Sequence, residues 1–307
     1  MKQFLLLLVI TFLLTHPVMS QVSSGNHLIV LGVAQDGGYP HIGCQKECCD
    51  RAWSDSELKR YVVSLALADP VAQKWYLFEA TPDIKEQLQL FRSITGAQYN
   101  YLPDAIFVSH AHIGHYTGLF QFGRESMNTL GLPVYVLPRM KSFLEENGPW
   151  SQLVSLNNIF LCEVKDGGNI SLAENINIKL LTVPHRDEFS ETGGYLIDTD
   201  NIDYLFIPDI DKWEKWDKDI IGLVKTVDVA FLDGTFCNID ELSGREMSEI
   251  PHPFISETIN LFKLQNKETK EKIHFIHFNH SNPVLWKDAE NMVTDAGFNI
   301  AIQGTKY

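Results

Sequence analysis

The alternation of hydrophobic and polar positions predicts a chain built from short strands and intervening helices. Runs rich in β-branched and aromatic residues are typical of strands, because such side chains fit a pleated and largely buried surface. The predicted strands are His27–Val33, Tyr61–Ala68, Lys74–Glu79, Asp104–Ser109, Pro133–Leu137, Ile159–Val164, Ile176–Val183, Tyr204–Ile207, Asp228–Leu232 and Lys272–Phe278.

Helices are predicted where apolar residues recur every three or four positions. These segments are Asp83–Ser93, Arg139–Asn147, Ile255–Leu264 and Pro283–Ala296. Their alternation with strands indicates sheets covered by helices, and ten or more strands favour two sheets over one. The chain has no repeat of fixed period and no long flexible linker, so we predict one domain over residues 21–307.

The first twenty residues have the pattern of a secretory signal peptide. Lys2 precedes an apolar run from Phe4 to Leu14, and small residues suited to cleavage end at Ser20. The apolar run is shorter than the roughly 20 residues that cross a bilayer. We therefore predict a signal peptide over residues 1–20, a mature chain from Gln21, and export to the periplasm or the extracellular medium. No other segment is predicted to span a membrane.

The charge balance limits the class of partner. The formal net charge is −14, and it becomes −15 when Lys2 is removed with the signal peptide. Such an acidic protein is a poor match for nucleic acid or for an anionic membrane surface. A small-molecule substrate is the predicted partner, and the sequence leaves the oligomeric state open.

Three of the eleven histidines lie within "FVSHAHIGHYTGL", directly after a predicted strand. In an extended segment, residues two apart point to the same side, so His110 and His112 can bind one ion. His115 follows a turn and approaches from the start of a helix. Because this spacing has little value for packing, it predicts a metal site.

Further candidate ligands stand where other predicted strands end. His185 follows "IKLLTVP", Asp209 follows "YLFIP", and His277 lies within "KIHFIHFNH". Taken singly, His185 suits a turn and Asp209 suits a helix cap. A fold that gathers the strand ends at one edge would supply three to five ligands and leave positions open for water.

The segment "SHAHIGHYTGL" resembles the HxHxDH signature of the metallo-β-lactamase superfamily, and the order of His185, Asp209 and His277 matches its later metal motifs. More narrowly, "VLGVAQDGGYPHIGC", "FEATPDI", "VPHRDEFSETGGYLI" and "HFNHSNP" are similar to the pyrroloquinoline quinone biosynthesis protein B family. The resemblance covers nearly the whole mature chain. It implies an α/β fold, a four-layer αβ/βα sandwich with a metal site at one edge of its two sheets.

The resemblance also implies a role for each ligand. It gives one metal to His110, His112 and His185, the bridging place to Asp209, and a second metal to His115 and His277. Gly114 departs from the pattern, because the superfamily usually has Asp there. The second position should then lack one anionic ligand and bind more weakly. We expect one or two Zn²⁺ ions, with iron or manganese as alternatives.

A second cluster, "HIGCQKECCDRAW", contains Cys44, Cys48 and Cys49. It is similar to a structural zinc knuckle in relatives of this family, including the cyclic-phosphate phosphodiesterases of phosphonate breakdown, although its spacing is CxxxCC rather than CxCxxC. In those enzymes a histidine three residues after the last active-site histidine completes the site, which here is His280. His41 is the reserve ligand. A Cys44–Cys48 disulfide and free thiols are the alternatives to a structural Zn²⁺.

Hydrolysis by metal-activated water is the first functional prediction, because a bound divalent ion lowers the pKa of water from about 15.7 to about 7. An ester, a phosphodiester or a lactone would be the substrate. Asp209 would orient the nucleophile, and His115, Glu188 or Glu191 would assist the leaving group. An iron-dependent oxidase or oxygenase of the quinone cofactor type is the alternative, and a non-catalytic metal-binding module, supported by Gly114, is the third.

Overall fold

Two β-sheets form the centre of the molecule. The computed structural model describes residues 25–242, 246, 250–287 and 289–307. The first sheet contains, in spatial order, β1 (His27–Gly32), β2 (Ser64–Asp69), β3 (Lys74–Phe78), β4 (Ala105–Phe107), β5 (Leu132–Val136) and β6 (Ile159–Glu163). The second sheet contains β7 (Asn169–Ala173), β8 (Ile176–Val183), β9 (Thr192–Thr199), β10 (Tyr204–Ile207), β11 (Val229–Asp233), β12 (Ile273–Ile276) and β13 (Asn299–Ile300).

Both sheets follow the same plan. Each begins with antiparallel strands, β1 to β3 in the first sheet and β7 to β10 in the second. Each then continues with parallel strands, β3 to β6 and β10 to β13. Neighbouring parallel strands end at the same edge of their sheet, and that edge is where ligands bind in open α/β sheets.

Helices cover the outer faces of the two sheets. In the described part of the chain they are α1 (Glu47–Ser54), α2 (Ile84–Thr95), α3 (Ile113–Tyr116), α4 (Pro138–Glu146), α5 (Trp150–Ser155), α6 (Ile220–Thr226), α7 (Ile255–Leu261), α8 (Lys267–Glu271) and α9 (Asn291–Thr294). Helix α2 buries Ile84, Leu88 and Phe91, at helical spacing, on the first sheet. Helices α6 and α7 contribute Ile220 and Ile255 to the core of the second.

The largest core lies between the sheets. Strand β1 has both faces buried: Leu28 and Val30 join the core between the sheets, whereas Ile29 and Leu31 join the core under the helices. Phe78 of the first sheet lies 5.2 Å from Tyr195 and 6.3 Å from Phe206 of the second, measured between ring centres. The resulting order is helices, sheet, sheet, helices, so the predicted four-layer sandwich is confirmed.

The ten predicted strands are all present, with ends shifted by a few residues, but the pattern missed β7, β9 and β13. Strand β9 includes Gly193 and Gly194, which weaken a strand signal, and β13 has only two residues. The predicted helix Pro283–Ala296 is wrong. A 3₁₀ turn over Pro283–Leu285 stops at Trp286, and α9 begins only at Asn291.

The predicted signal peptide, residues 1–20, lies outside the described residues, as do residues 21–24 of the predicted mature chain. Among the residues that are described, none of the helices has the length and apolarity that a bilayer crossing demands.

Replacing Phe206 by Ala should test the core between the sheets. Phe206 is fully buried, so truncation leaves a cavity and should lower the free energy of unfolding by about 3–5 kcal/mol. Phe160→Ala is the control, because that side chain is 58% exposed and its loss should cost less than about 0.5 kcal/mol. Denaturant titration measures both, and equal effects would contradict this packing.

Candidate metal centre

Side chains at strand ends from both sheets converge on one site. The residues that follow or end a strand there are Asp36 after β1, Glu79 after β3, His110 after β4, His185 after β8, Asp209 after β10, Asp233 at the end of β11 and His277 after β12. His112 is in an extended conformation and caps the amino end of α3, which carries His115 in its first turn. The local geometry of this histidine segment is therefore the one that its spacing predicts.

The first group of candidate ligands contains His110, His112, His185 and Asp209. One ligand atom from each lies within 4.8 Å of the other three. Nε2 of His110 is 3.1 Å from Oδ2 of Asp209. The structure thus brings together His110, His112 and His185, the predicted ligands of the first metal, with Asp209, the predicted bridging ligand.

The second group contains Asp36, His115 and His277, again with ligand atoms within 4.8 Å. Asp209 lies between the two groups, with Oδ2 3.0 Å from Nε2 of His115 and Oδ1 2.8 Å from Nδ1 of His277. Both oxygens of one buried carboxylate therefore face imidazoles from both groups.

Several buried atoms at the centre of these groups lack a hydrogen bond of regular geometry to any described residue and instead face one another or stand alone: Nε2 of His110, His115 and His277, and Oδ1 of Asp36 and Asp209. An unpaired buried polar atom costs about 1–3 kcal/mol. Cations bound by the two groups would satisfy these atoms, so the residues fit a metal centre. The mixture of imidazole and carboxylate suits zinc, iron or manganese.

Hydrogen-bonding groups behind the histidines fix the orientation of their rings. Nδ1 of His110 is 2.8 Å from Ser109 Oγ, and Nδ1 of His115 is 3.3 Å from Oε2 of Glu79. Such contacts hold the other ring nitrogen toward a metal. Glu79 and His277 also have left-handed backbones, with φ of 71° and 65°. That conformation costs a non-glycine residue about 1–3 kcal/mol, so these two positions beside the ligands carry backbone strain.

Burial and nearby charge set the protonation of the histidines. Burial lowers the pKa of His110 well below its usual value and lowers the pKa of His185 to about 4, so both offer a lone pair at neutral pH. Burial also pushes the pKa of His115 down, but the carboxylates of Asp209 and Glu79 outweigh it and raise that pKa well above the usual range. A proton and a metal ion compete for the same imidazole nitrogen of His115, so metal binding should release protons.

The expectation that Gly114 leaves the second position without a carboxylate is wrong. A Cβ atom built on Gly114 would lie 2.1 Å from Oδ1 of Asp36, so a carboxylate from another segment already lies there. The same oxygen is 3.4 Å from Nε2 of His115.

The two predicted acids of the loop after β8 have different positions. Glu188 lies at the rim, 44% exposed, with Oε2 3.0 Å from Nε2 of His112. Arg186 lies beside it, with Nη2 3.0 Å from the same nitrogen. Glu191 instead accepts the backbone N–H of Arg139 at 2.9 Å, at the start of α4, and is not part of the site.

Sequence reasoning missed Asp36, Glu79, Asp233 and His252. The first three follow or end a strand, which is the same signal that singled out His185, so that rule could have found them. His252 stands outside any strand and has no such signal. Its Nδ1 lies 2.8 Å from Oδ2 of Asp233, and together with Asp209 and His277 these two residues form a further group of possible ligands.

The three clustered cysteines meet as predicted. Their sulfur atoms lie within 4.8 Å of one another, and Sγ of Cys44 is 3.8 Å from Sγ of Cys48. Helix α1 carries Cys48 and Cys49, and all five cysteines of the chain are free. Burial raises the pKa of Cys49 to about 12, so its thiolate needs a cation to form at neutral pH. The cluster thus fits a metal ion as well.

The predicted fourth ligand lies beside the thiols but is not grouped with them. The ring of His280 packs on that of His41, with ring centres 4.3 Å apart. The backbone N–H of His41 donates to Sγ of Cys49 at 3.4 Å. Among the described residues, the three sulfur atoms are the ligand atoms that lie within 4.8 Å of one another at this cluster, and no nitrogen of His280 is among them.

Comparison with known proteins agrees with this fold. The family model described as the β-lactamase superfamily domain matches residues 74–278. The chain belongs to the β-lactamase superfamily.

The narrower resemblance predicted from sequence is also found. The chain is 23% identical to coenzyme PQQ synthesis protein B of Methylorubrum extorquens (strain PA1), over 91% of this chain and 98% of that protein. The crystal structure of Zn²⁺-bound PqqB from Methylobacterium extorquens covers 92% of this chain and 99% of its own, with a TM-score of 0.76 and 19% identity. A diphosphatase from the PhnP family covers 92% and 96%, with a TM-score of 0.66 and 20% identity.

Replacing His112 by Ala should remove metal from the first group, because it takes away one of three imidazoles. Elemental analysis after dialysis should show the loss of about one metal equivalent from the first group, and metal-dependent activity should disappear with it. His274→Ala is the control, because His274 lies on β12 and takes no part in the ligand groups. An unchanged metal content in the His112 variant would reject the first group.

Replacing Cys49 by Ser should affect the thiol cluster alone. We expect the loss of about one zinc equivalent and a melting temperature lower by about 5 °C or more, because a structural zinc contributes folding free energy. The two ligand groups around Asp209 should still bind metal. Cys162→Ser is the matched control, since Cys162 lies on β6, away from this cluster. An unchanged melting temperature and zinc content would reject a structural zinc site at the thiol cluster.

Proposed function

We propose that this protein is a metal-dependent hydrolase that uses metal-activated water. The position of Asp209 carries the proposal. Its carboxylate lies between two groups of imidazoles, 3.1 Å from His110 and 2.8 Å from His277. A carboxylate shared by two ligand groups is the arrangement that two-metal hydrolases use to hold their ions together.

A bound divalent ion supplies two effects, a water whose pKa falls to about 7 and polarisation of the attacked oxygen. The chain's own residues do the rest. Asp209 orients the water by hydrogen bonding, and the hydrogen bond from His112 holds the pKa of Glu188 below its usual value. Glu188 is therefore ionised at neutral pH, so at the rim it would accept a proton from the nucleophile rather than assist the leaving group.

An anionic phosphodiester or diphosphate is the substrate class that the rim favours most. The guanidinium of Arg186 is 50% exposed beside His112, where it can hold a phosphoryl oxygen. The PhnP-family relative is named a diphosphatase, which supports this substrate class. Carboxylic esters and lactones remain within the same chemistry.

Iron-dependent oxidation is the second candidate. The curated relative is named for coenzyme PQQ synthesis rather than for hydrolysis, and a site with several imidazoles suits iron as well as zinc. A non-catalytic module has less support than it had from the sequence, because the carboxylate of Asp36 lies where a side chain at Gly114 would be. Export, a small-molecule substrate and the absence of nucleic-acid binding remain proposals from the sequence.

Activity measurements on the full-length protein loaded with zinc, manganese or iron should separate the two chemistries. We expect cleavage of bis(p-nitrophenyl) phosphate with zinc or manganese. Asp209→Asn should lower turnover about 10²–10⁴-fold, since it removes the group that orients the water.

Glu191→Gln is the control for this experiment, because Glu191 contacts the start of α4 and not the site. Oxygen consumption by the iron form, without cleavage of phosphodiester or lactone in any form, would overturn the hydrolase in favour of the oxidase.

A further inference from the structure

Asp36 and Gly114 are 78 positions apart in sequence but compete for the same space. A Cβ atom on Gly114 would lie 2.1 Å from Oδ1 of Asp36 and 2.8 Å from its Cα. Contacts that short do not occur, so a side chain at 114 and the present position of Asp36 exclude each other. The volume expected for an aspartate side chain at 114 is occupied by the carboxylate of another segment.

We propose that Asp36 is a metal ligand of the second group, and that it replaces the carboxylate missing at position 114. Its Oδ1 lies 3.4 Å from Nε2 of His115 and belongs to one ligand group with His115 and His277. The inference concerns metal occupancy, and it holds whether the bound metal serves hydrolysis or oxidation.

The surroundings of Oδ1 support a cation as its partner. The atom is buried, and its contact with Nε2 of His115 at 3.4 Å does not have hydrogen-bond geometry. A carboxylate oxygen removed from water needs a positive charge beside it, which a cation shared with His115 would supply. The side chain as a whole is 26% exposed, so the second position can still be reached by water or substrate.

The backbone holds Asp36 in register with His277. The N–H of Phe278 donates to the carbonyl of Val33 at 2.7 Å, and the N–H of Gln35 donates to the carbonyl of Phe278 at 2.8 Å. These two bonds join the residues just before Asp36 to the residue just after His277. A turn closed by the N–H of Gly38 on the carbonyl of Gln35, at 2.7 Å, then directs Asp36 back toward the site.

Asp36→Asn tests the charge with little change in shape. Zinc or manganese titration followed by elemental analysis should show that the second ion binds more than about 10-fold more weakly. Substitution of a residue that only hydrogen-bonds to a metal ligand already lowers metal affinity by about that factor, and a ligand should matter more. The first ion and the zinc of the thiol cluster should remain. Asp217→Asn is the matched control, since its side chain is 85% exposed, far from any ligand group.

Gly114→Ala tests the competition for space. The added methyl group should displace Asp36, so this variant should also lose the second ion although its carboxylate is intact. The double variant Asp36→Gly/Gly114→Asp returns a carboxylate to the motif position and should bind more of the second ion than Asp36→Gly alone. Equal melting temperatures of the metal-free proteins show that each variant folds.

Wild-type metal content and affinity in both Asp36→Asn and Gly114→Ala would overturn the proposal. A folded double variant with no gain over Asp36→Gly would overturn the equivalence of the two positions. A wild-type protein that binds the second ion but cleaves no substrate would reject the hydrolase and leave this inference standing. Cobalt(II) spectra of the same variants provide a readout that is independent of activity.

Discussion

The buried carboxylate of Asp209 imposes the constraint on which the rest of the site depends. It is 1% exposed and lies within 3.1 Å of nitrogens from His110, His115 and His277. A charge so far from water is tolerated only when opposite charge surrounds it. Strands from both sheets must therefore end at one place, since β4 and α3 of one half deliver two of these rings and β12 of the other half delivers the third. The close packing of Phe78 on Tyr195 and Phe206 holds the two sheets in the relation that this convergence requires.

The same site contains two residues with strained backbone. Glu79 and His277 adopt left-handed conformations immediately after strands that are otherwise regular, and both side chains face the ligand cluster. The free energy lost there is recovered in the cores on either side. At this site the two strained positions lie at the sheet edge, whereas the packing that offsets them lies within the cores.

Much of this architecture was predictable, because strands such as β1, β2, β4 and β10 are buried on both faces and read as apolar runs. The spacing of His110, His112 and His115 likewise follows from local geometry alone. The strand-end rule could have placed Asp36 at the site, but its contact with position 114 was not predictable, because nothing near Gly114 in sequence shows that a residue 78 positions earlier fills its place. Strand β9 was missed because two glycines weaken its strand pattern. The break after Leu285 was missed because a short 3₁₀ turn ends at Trp286 within an otherwise helical pattern. His252 reaches the site from a segment without regular structure, where periodicity carries no information.

Two stretches of backbone connect the thiol cluster with the metal centre. One contains Asp36 and continues to Cys44, and the other contains His277 and continues to His280, whose ring packs on that of His41. Both stretches are short and are hydrogen-bonded to each other near Asp36. The loop that carries Cys44 and the segment that carries His280 therefore share one hydrogen-bonded backbone unit with Asp36 and His277. The thiol cluster thus braces the segments that position these two side chains.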